Sequence, residues 1–177
     1  MSVCFPMSVL DLLLRCDERD LHRIVWTEDL LAELERVWVR EGARSVTSAR
    51  RVTDAIRAMF AAQGVRRDEY EHLIDEMPGP DFDDHCHSAA AVAVTPSVLL
   101  TANLKDFPES PLAALGVTVL SPDDYVCALF NAHPEELLDI VTAMAAHRRN
   151  PPMDKGLVLD ALDRAGLSRF AAEAERG

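Results

Sequence analysis

The sequence contains no long apolar run, and this excludes one class of protein. A helix that spans a membrane needs about 20 consecutive apolar residues, and no stretch of these 177 residues approaches that length. The N-terminus also lacks a basic region followed by an apolar one, so we expect no secretory signal. With 49% hydrophobic and 27% charged residues, the composition is typical of a globular protein with a sizeable core.

Cysteines are few and show no paired spacing, which is typical of reduced thiols in a cytoplasmic protein. The four are Cys4, Cys16, Cys86 and Cys127. One lies in the run Asp84-His85-Cys86-His87, whose residue types suggest zinc. Two histidines two positions apart on a helix point roughly 200° away from each other, and no second Cys/His pair has zinc-finger spacing. We therefore expect no zinc site, and no cysteine hydrolase, since Cys86 has no identifiable base partner.

Positive charge is also scarce, because 18 basic residues face 30 acidic ones and the net charge is −12. This argues against a passive nucleic-acid coat, but not against a nuclease, whose site is itself acidic and whose bound metal reverses the local sign. The arginines are concentrated: eight lie between Arg36 and Arg67, against Glu41 and Asp54. This section fits a phosphate backbone and an ordinary solvated helix face equally well.

Two short polar segments carry most of the chemical information. Residues 81–84 are acidic and open an Ala-rich helix, with Asp83 or Asp84 as its expected cap. Residues 103–106 follow a short apolar strand at 98–101. In an open α/β sheet the crevice beyond the carboxyl ends of the strands is the usual site. Mg²⁺ and Mn²⁺ prefer oxygen ligands held on rigid elements there, with positions left open for phosphate and water.

The alternation of apolar segments predicts a three-layer α/β fold with a central parallel sheet. Strands are expected at 98–101 and 117–120, a strand or turn at 69–77, and helices over most of the remaining periodic segments. After Asn131 the composition changes to amphipathic helices. We therefore predict a main domain at 1–131 and a C-terminal helical extension at 132–177.

Four segments resemble a known family. Pro80-Asp81-Phe82-Asp83-Asp84 is similar to the "DPDDxH" helix start in one branch of the PIN domains, the metal-dependent nuclease fold of VapC-type toxins. Residues 100–108 (LTANLKDFP) resemble that branch's strand end "VTxNLKDFP". Residues 26–33 (WTEDLLAE) are similar to its Trp-initiated helix, and residues 121–125 (SPDDY) to its final strand exit. Each match alone is weak, whereas four in the right order are fairly specific.

The resemblance implies a metal-dependent site with water as the nucleophile. It assigns Glu33, Asp84 and Asp106 as catalytic and metal-binding acids, and it puts Asn103 where many PIN domains carry a third aspartate. Two near neighbours, Asp81 and Asp83, have no assigned part. The implied cofactor is Mg²⁺ or Mn²⁺. Taken one at a time, the acids after Pro80 would also be explained by helix capping, and Glu33 by an ordinary helix surface.

One part of the family pattern is missing. The family begins with a strand that ends in a characteristic aspartate ligand, and residues 2–6 resemble the stretch just after it, so that ligand would fall before Met1. Asp11 is the nearest acid, but in the family pattern it belongs to the following helix and makes a poor replacement. We therefore expect the chain as given to cleave RNA poorly.

The resemblance supports two hypotheses of different classes. The first is a metal-dependent endoribonuclease that acts as the toxin of a bacterial type II toxin–antitoxin pair. Its partners would be an RNA substrate, a cognate antitoxin and a second copy of the chain, with no membrane. The second is a PIN-fold module that binds RNA or protein without catalysis, because its first metal ligand is absent.

Overall fold

The computed structural model describes residues 6–147 and 154–176, and these are mostly helical. They divide into two compact units, one formed by residues 25–120 and the other by residues 6–24 together with the described residues after 120. The residues that resemble the stretch after the family's first strand, 2–5, and Cys4 lie outside the described ranges. None of the helices in those ranges is both long enough and apolar enough to cross a membrane.

The unit at 25–120 begins with two capped helices. Helix α2 starts after Thr27, whose hydroxyl accepts the Leu30 N–H at 3.1 Å, and helix α3 starts after Ser45, which caps it in the same way. Apolar residues at helical spacing then bury one face of α2. The helices of this unit are α2 (Glu28–Arg40), α3 (Val46–Met59), α4 (Arg67–Tyr70), α5 (His85–Ala93) and α6 (Glu109–Ala114).

The sheet of this unit consists of two parallel strands, as far as the described residues go. Strand β1 (Ser97–Leu100) pairs with β2 (Val117–Leu120) in the register Ser97↔Val117 to Leu100↔Leu120. The connection runs through a 3₁₀ turn and α6, so the two strands form a crossover unit. The parallel pairing is as predicted and the architecture is consistent with the α/β class. The three-layer arrangement stays a prediction.

The prediction of a strand or turn at 69–77 is wrong. The chain there forms the end of α4 and a 3₁₀ helix at Glu71–Glu76. Tyr70, Ile74 and Met77 are buried in one cluster with Ala89 and Ala90 of α5. Their spacing of four and three residues is the helical period, which places all three on one face.

The second unit is helical throughout its described residues. It combines α1 (Met7–Glu18) with α7 (Pro122–Ala132), α8 (Pro134–His147), α9 (Lys155–Arg164) and α10 (Ser168–Ala174). Helix α1 packs on α8 and α9, and α10 packs on α7 and α9. The predicted border after residue 131 therefore differs from the compact units, since α7 groups with the C-terminal helices. The physical reason is that Val126 and Cys127 of α7 are buried in this packing.

Candidate metal centre

Three carboxylates come together in the unit at 25–120. Asp81, Asp84 and Asp106 each offer one oxygen, and these oxygens all lie within 4.8 Å of one another. Asp84 is buried, with 3% of its surface exposed, whereas Asp106 is half-buried and Asp81 is exposed. Negative charges at this separation repel one another, and more strongly where water is partly excluded. The arrangement is therefore one that a bound cation would stabilise.

The first two acids belong to one tight turn. Residues Phe82–Asp84 form a 3₁₀ helix that Asp81 caps by accepting the Asp83 N–H at 3.1 Å. Side chains three apart eclipse each other in a 3₁₀ helix, so Asp81 and Asp84 share one side. The expectation that Asp83 or Asp84 is the cap is wrong, because a 3₁₀ turn precedes α5 and moves the cap to Asp81.

The third acid comes from a second 3₁₀ turn, at Leu104–Asp106, just beyond β1. The Asn103 backbone N–H donates to the hydroxyl of buried Thr101 at 3.0 Å. The Asn103 amide also donates a short hydrogen bond to the Asp106 carboxylate. This bond holds the Asp106 carboxylate at the carboxyl end of the strand, where the sequence predicted a site.

Gly79 brings the two turns into contact. It has a φ of +145°, and a Cβ at this position would lie 2.8 Å from the carbonyl oxygen of Asp106. The His85 Nε2 donates to the Gly79 carbonyl at 3.1 Å, which ties the same loop to the start of α5. Only glycine tolerates both the backbone angle and the close approach.

Glu33 lies on α2 and forms an ion pair with His87 of α5. The His87 Nε2 donates to the Glu33 carboxylate at 2.8 Å, and both side chains are largely buried. Burial lowers the pKa of His87, but interactions with Cys86 and Glu33 outweigh this effect and raise it to about 9. The same hydrogen bond holds the pKa of Glu33 below its ordinary value, against the effect of burial. Both groups are therefore charged at neutral pH.

A further network fixes the start of α2 on α4. The Tyr70 hydroxyl donates to the Asp29 carboxylate at 2.6 Å, and Arg67 donates to the same oxygen. Burial raises the pKa of Asp29, but these two donors outweigh it and the net shift is downward. Glu33, one turn further along α2, is thereby held towards α5.

The structure brings together three of the residues singled out from the sequence. Asp84 and Asp106 belong to the carboxylate cluster, and Asn103 is bonded to one of its members. The cluster also contains Asp81, to which the family resemblance assigned no part. This grouping is geometric, and metal binding by these residues stays a prediction.

The other candidates lie elsewhere. Glu33 is bonded to His87 and does not belong to the three-carboxylate cluster. Asp83 is exposed on the same turn and takes part through its backbone N–H. Asp11 lies on α1, in the other unit, and pairs with Arg15 at 3.0 Å.

Sequence reasoning missed the roles of His87 and Gly79. His87 follows Asp84 by three residues, so it lies one turn further along the same helix, and this spacing was the available signal. Gly79 stands between two prolines, a pattern typical of a backbone position with special requirements. Neither signal identifies the distant partner.

Several arginines of the 36–67 section pair with carboxylates, which favours an ordinary solvated face for these members. The pairs are Arg50 with Glu35, Arg57 with Glu28 and Asp54, Arg66 with Asp68, and Arg67 with Asp29.

Comparisons with known proteins find two similarities. Residues 122–176 match a family described as the VapC50 C-terminal domain. The chain is also 30% identical over 139 residues to the protein named "Putative ribonuclease VapC50" of Mycobacterium tuberculosis (strain ATCC 25618 / H37Rv), an alignment that covers 78% of each protein. No solved structure matches the chain.

Proposed function

Since the chain belongs to the VapC-like PIN toxin family, we propose that it is a metal-dependent endoribonuclease and the toxin of a bacterial type II toxin–antitoxin pair. The observation that supports this most directly is the cluster of Asp81, Asp84 and Asp106, whose oxygens lie within 4.8 Å of one another. The relative in M. tuberculosis is named a ribonuclease. The proposal includes a three-layer PIN fold, a cytoplasmic RNA target, a cognate antitoxin and a homodimer.

The donor set of the cluster suits Mg²⁺ or Mn²⁺. Both cations prefer hard oxygen ligands, and three carboxylates that repel one another form a site of that kind. The residues that would hold the metal are Asp81, Asp84 and Asp106, with Asn103 orienting Asp106 through its amide. A divalent cation bound there lowers the pKa of water and neutralises charge on the phosphate.

The protein's own residues hold this site in place. Burial of Asp84 excludes solvent from one side of the cluster, and Gly79 keeps the two turns in contact. Glu33 stays a predicted ligand, but its carboxylate is engaged by His87. We therefore expect a change at Glu33 to weaken metal binding less than a change at Asp84.

The test measures RNA cleavage and Mn²⁺ affinity in purified Asp81→Asn, Asp84→Asn and Asp106→Asn variants. Each substitution removes one charge and keeps the side-chain shape, and circular dichroism checks the fold. Loss of a partner outside the ligand shell commonly costs about 10- to 100-fold in metal affinity or activity, so we expect each variant to lose at least that much.

Asp83→Asn is the matched control. It lies on the same turn and is exposed, but its carboxylate is not in the cluster. It should keep the unaltered chain's Mn²⁺ affinity and cleavage. Cleavage that resists EDTA and survives Asp84→Asn would contradict the proposal, as would an equal loss in the Asp83 control.

A further inference from the structure

Phe82 is an aromatic side chain exposed beside the carboxylate cluster. Its exposed fraction is 61%, and among the described residues it is the only aromatic one of the large hydrophobic side chains that are exposed. Large apolar side chains are usually buried, so one that is exposed at a polar site indicates contact with something outside the chain. Phe82 stands between two members of the cluster in sequence, Asp81 and Asp84.

The 3₁₀ geometry gives the turn two neighbouring faces. Side chains three apart eclipse each other, so Asp81 and Asp84 share one face while Phe82 and His85 share the next. The Phe82 and His85 rings are tilted by 51° with centroids 5.1 Å apart. The His85 imidazole is in turn held by its bond to the Gly79 carbonyl. The Phe82 ring is therefore supported from one side and open to solvent on the rest of its surface.

An aliphatic side chain extends this apolar surface on the other turn. Leu104 is 47% exposed and lies between Asn103 and Asp106 in sequence. Each of the two turns thus carries an acid of the cluster and an exposed apolar residue. A ligand that suits both has a charged part and a flat apolar part separated by a short linker, and a nucleotide has this composition.

Building on the proposed function, we propose that Phe82 stacks on an unpaired base of the RNA strand whose phosphate lies at the three carboxylates. Proteins bind single-stranded RNA largely by stacking bases on aromatic side chains. Neighbouring Cα atoms are only about 3.8 Å apart, and a base is separated from its phosphate by one sugar, so both contacts fall within one nucleotide. The phenyl ring has no hydrogen-bonding group, so the contact tolerates any base.

Charge gives this contact its importance. At a net charge of −12, the chain as a whole repels RNA. Basic residues near the cluster are few, since Lys105 stands alone in the two turns. Stacking supplies affinity that does not depend on positive charge.

The experiment measures binding of fluorescein-labelled oligouridine and oligoadenosine of about 12 nucleotides, a length within the usual span of one binding module. Ca²⁺ replaces Mg²⁺ to occupy oxygen-ligand sites, and gels check that the RNA stays intact. Phe82→Ala should weaken binding by roughly 5- to 100-fold, the range for losing one stacked base. Phe82→Leu should be similarly weak, and Phe82→Trp should bind at least as tightly as the unaltered chain.

Two controls separate stacking from other effects. Met59→Ala removes a side chain on α3 that is 63% exposed, and it should leave RNA binding unchanged. An abasic oligoribonucleotide of the same length should bind the unaltered chain and Phe82→Ala equally weakly. Because Phe82 is exposed, its variants should keep the thermal stability of the unaltered chain.

The outcomes distinguish this inference from the proposed function. If cleavage depends on the acids but the Phe82 series binds RNA alike, the stacking proposal is wrong and Phe82 serves another partner. Retained affinity in Phe82→Leu, or no RNA binding by the unaltered chain, also overturns it. If cleavage is absent while base-dependent binding follows the Phe82 series, the nuclease proposal fails and the stacking contact is supported.

Discussion

Gly79 holds the two turns of the candidate site at a separation that a larger residue does not permit. A Cβ there would lie 2.8 Å from the Asp106 carbonyl oxygen, and the φ of +145° is unfavourable for any other residue. We expect Gly79→Ala to destabilise the fold by about 1–3 kcal/mol and to weaken Mn²⁺ binding, because the loop must move away from Asp106. Chemical denaturation and a Mn²⁺ titration measure the two effects.

Gly42→Ala is the matched control for this substitution. Gly42 also has a positive φ, +69°, but no atom lies within 4 Å of its added Cβ. This variant should lose about 1–2 kcal/mol from backbone strain alone and bind Mn²⁺ as the unaltered chain does. Equal Mn²⁺ affinity in the two variants would show that contact between the turns does not matter to the site.

The ion pair of His87 and Glu33 makes stability depend on pH. The folded-state pKa of His87 is raised from 6.5 to about 9, so its contribution is complete below pH 6.5 and is lost as pH rises through 9. The pKa of Glu33 is lowered from 4.5, so its contribution is present above that pH and is lost as pH falls. The pair therefore stabilises the fold most between about pH 5 and 6.5.

His87→Gln tests this window, because glutamine keeps a hydrogen-bond donor but does not titrate. In EDTA, the unaltered chain should lose on the order of 2–3 kcal/mol of unfolding free energy between pH 6 and 9.5 that the variant does not lose. Guanidinium denaturation at several pH values measures it. The exposed His72→Gln should behave as the unaltered chain, and a flat pH profile in the unaltered chain would rule out the charged pair.

At the scale of elements, several helix starts follow from local capping, but one depends on a distant residue. The Asp123 carboxylate of α7 accepts the backbone N–H groups of Arg169 at 3.0 Å and Phe170 at 3.1 Å. These groups belong to the first turn of α10, whose own preceding residue, Leu167, cannot cap it. One helix therefore supplies the cap of another.

We expect Asp123→Ala to destabilise the helical unit by about 1–3 kcal/mol, because two buried donors lose their charged acceptor. Thermal denaturation followed by circular dichroism measures the change. Asp160→Ala, which removes an exposed acid from α9, should shift the midpoint little. If the two variants melt alike, the cap does not contribute to the stability of this unit.

At the scale of the whole molecule, the helical unit is assembled from both ends of the described chain. Helix α1 buries Val9, Leu12, Leu13 and Cys16, and it packs on α8 and α9. The sequence predicted a C-terminal extension that could be removed from a nuclease core. Removing it would instead expose the apolar face of α1, which has no other partner in its own segment.

Two fragments test this arrangement. Residues 25–120 should form a folded monomer, because both apolar clusters of that unit lie within it. Residues 1–120 should self-associate, because α1 is then present without α8 and α9. Size-exclusion chromatography and circular dichroism compare them. A monomeric 1–120 fragment, or an unfolded 25–120 fragment, would show that the two units are not independent.

The sequence by itself determined the features that depend on neighbouring residues. The Thr27 and Ser45 caps, the strand at 117–120 and the family motifs were all readable, because capping and periodicity act over a few positions. The family assignment followed from those motifs and agrees with the relatives found.

Only the tertiary structure decided which polar groups meet. Asp81 joins the cluster because Gly79 lets two turns touch, and Glu33 bonds to His87 across a separation of 54 residues. Local patterns carry no information about such contacts, since the two partners are brought together by packing of elements that are distant in sequence. The same packing, and not any change in composition, placed α7 with the C-terminal helices.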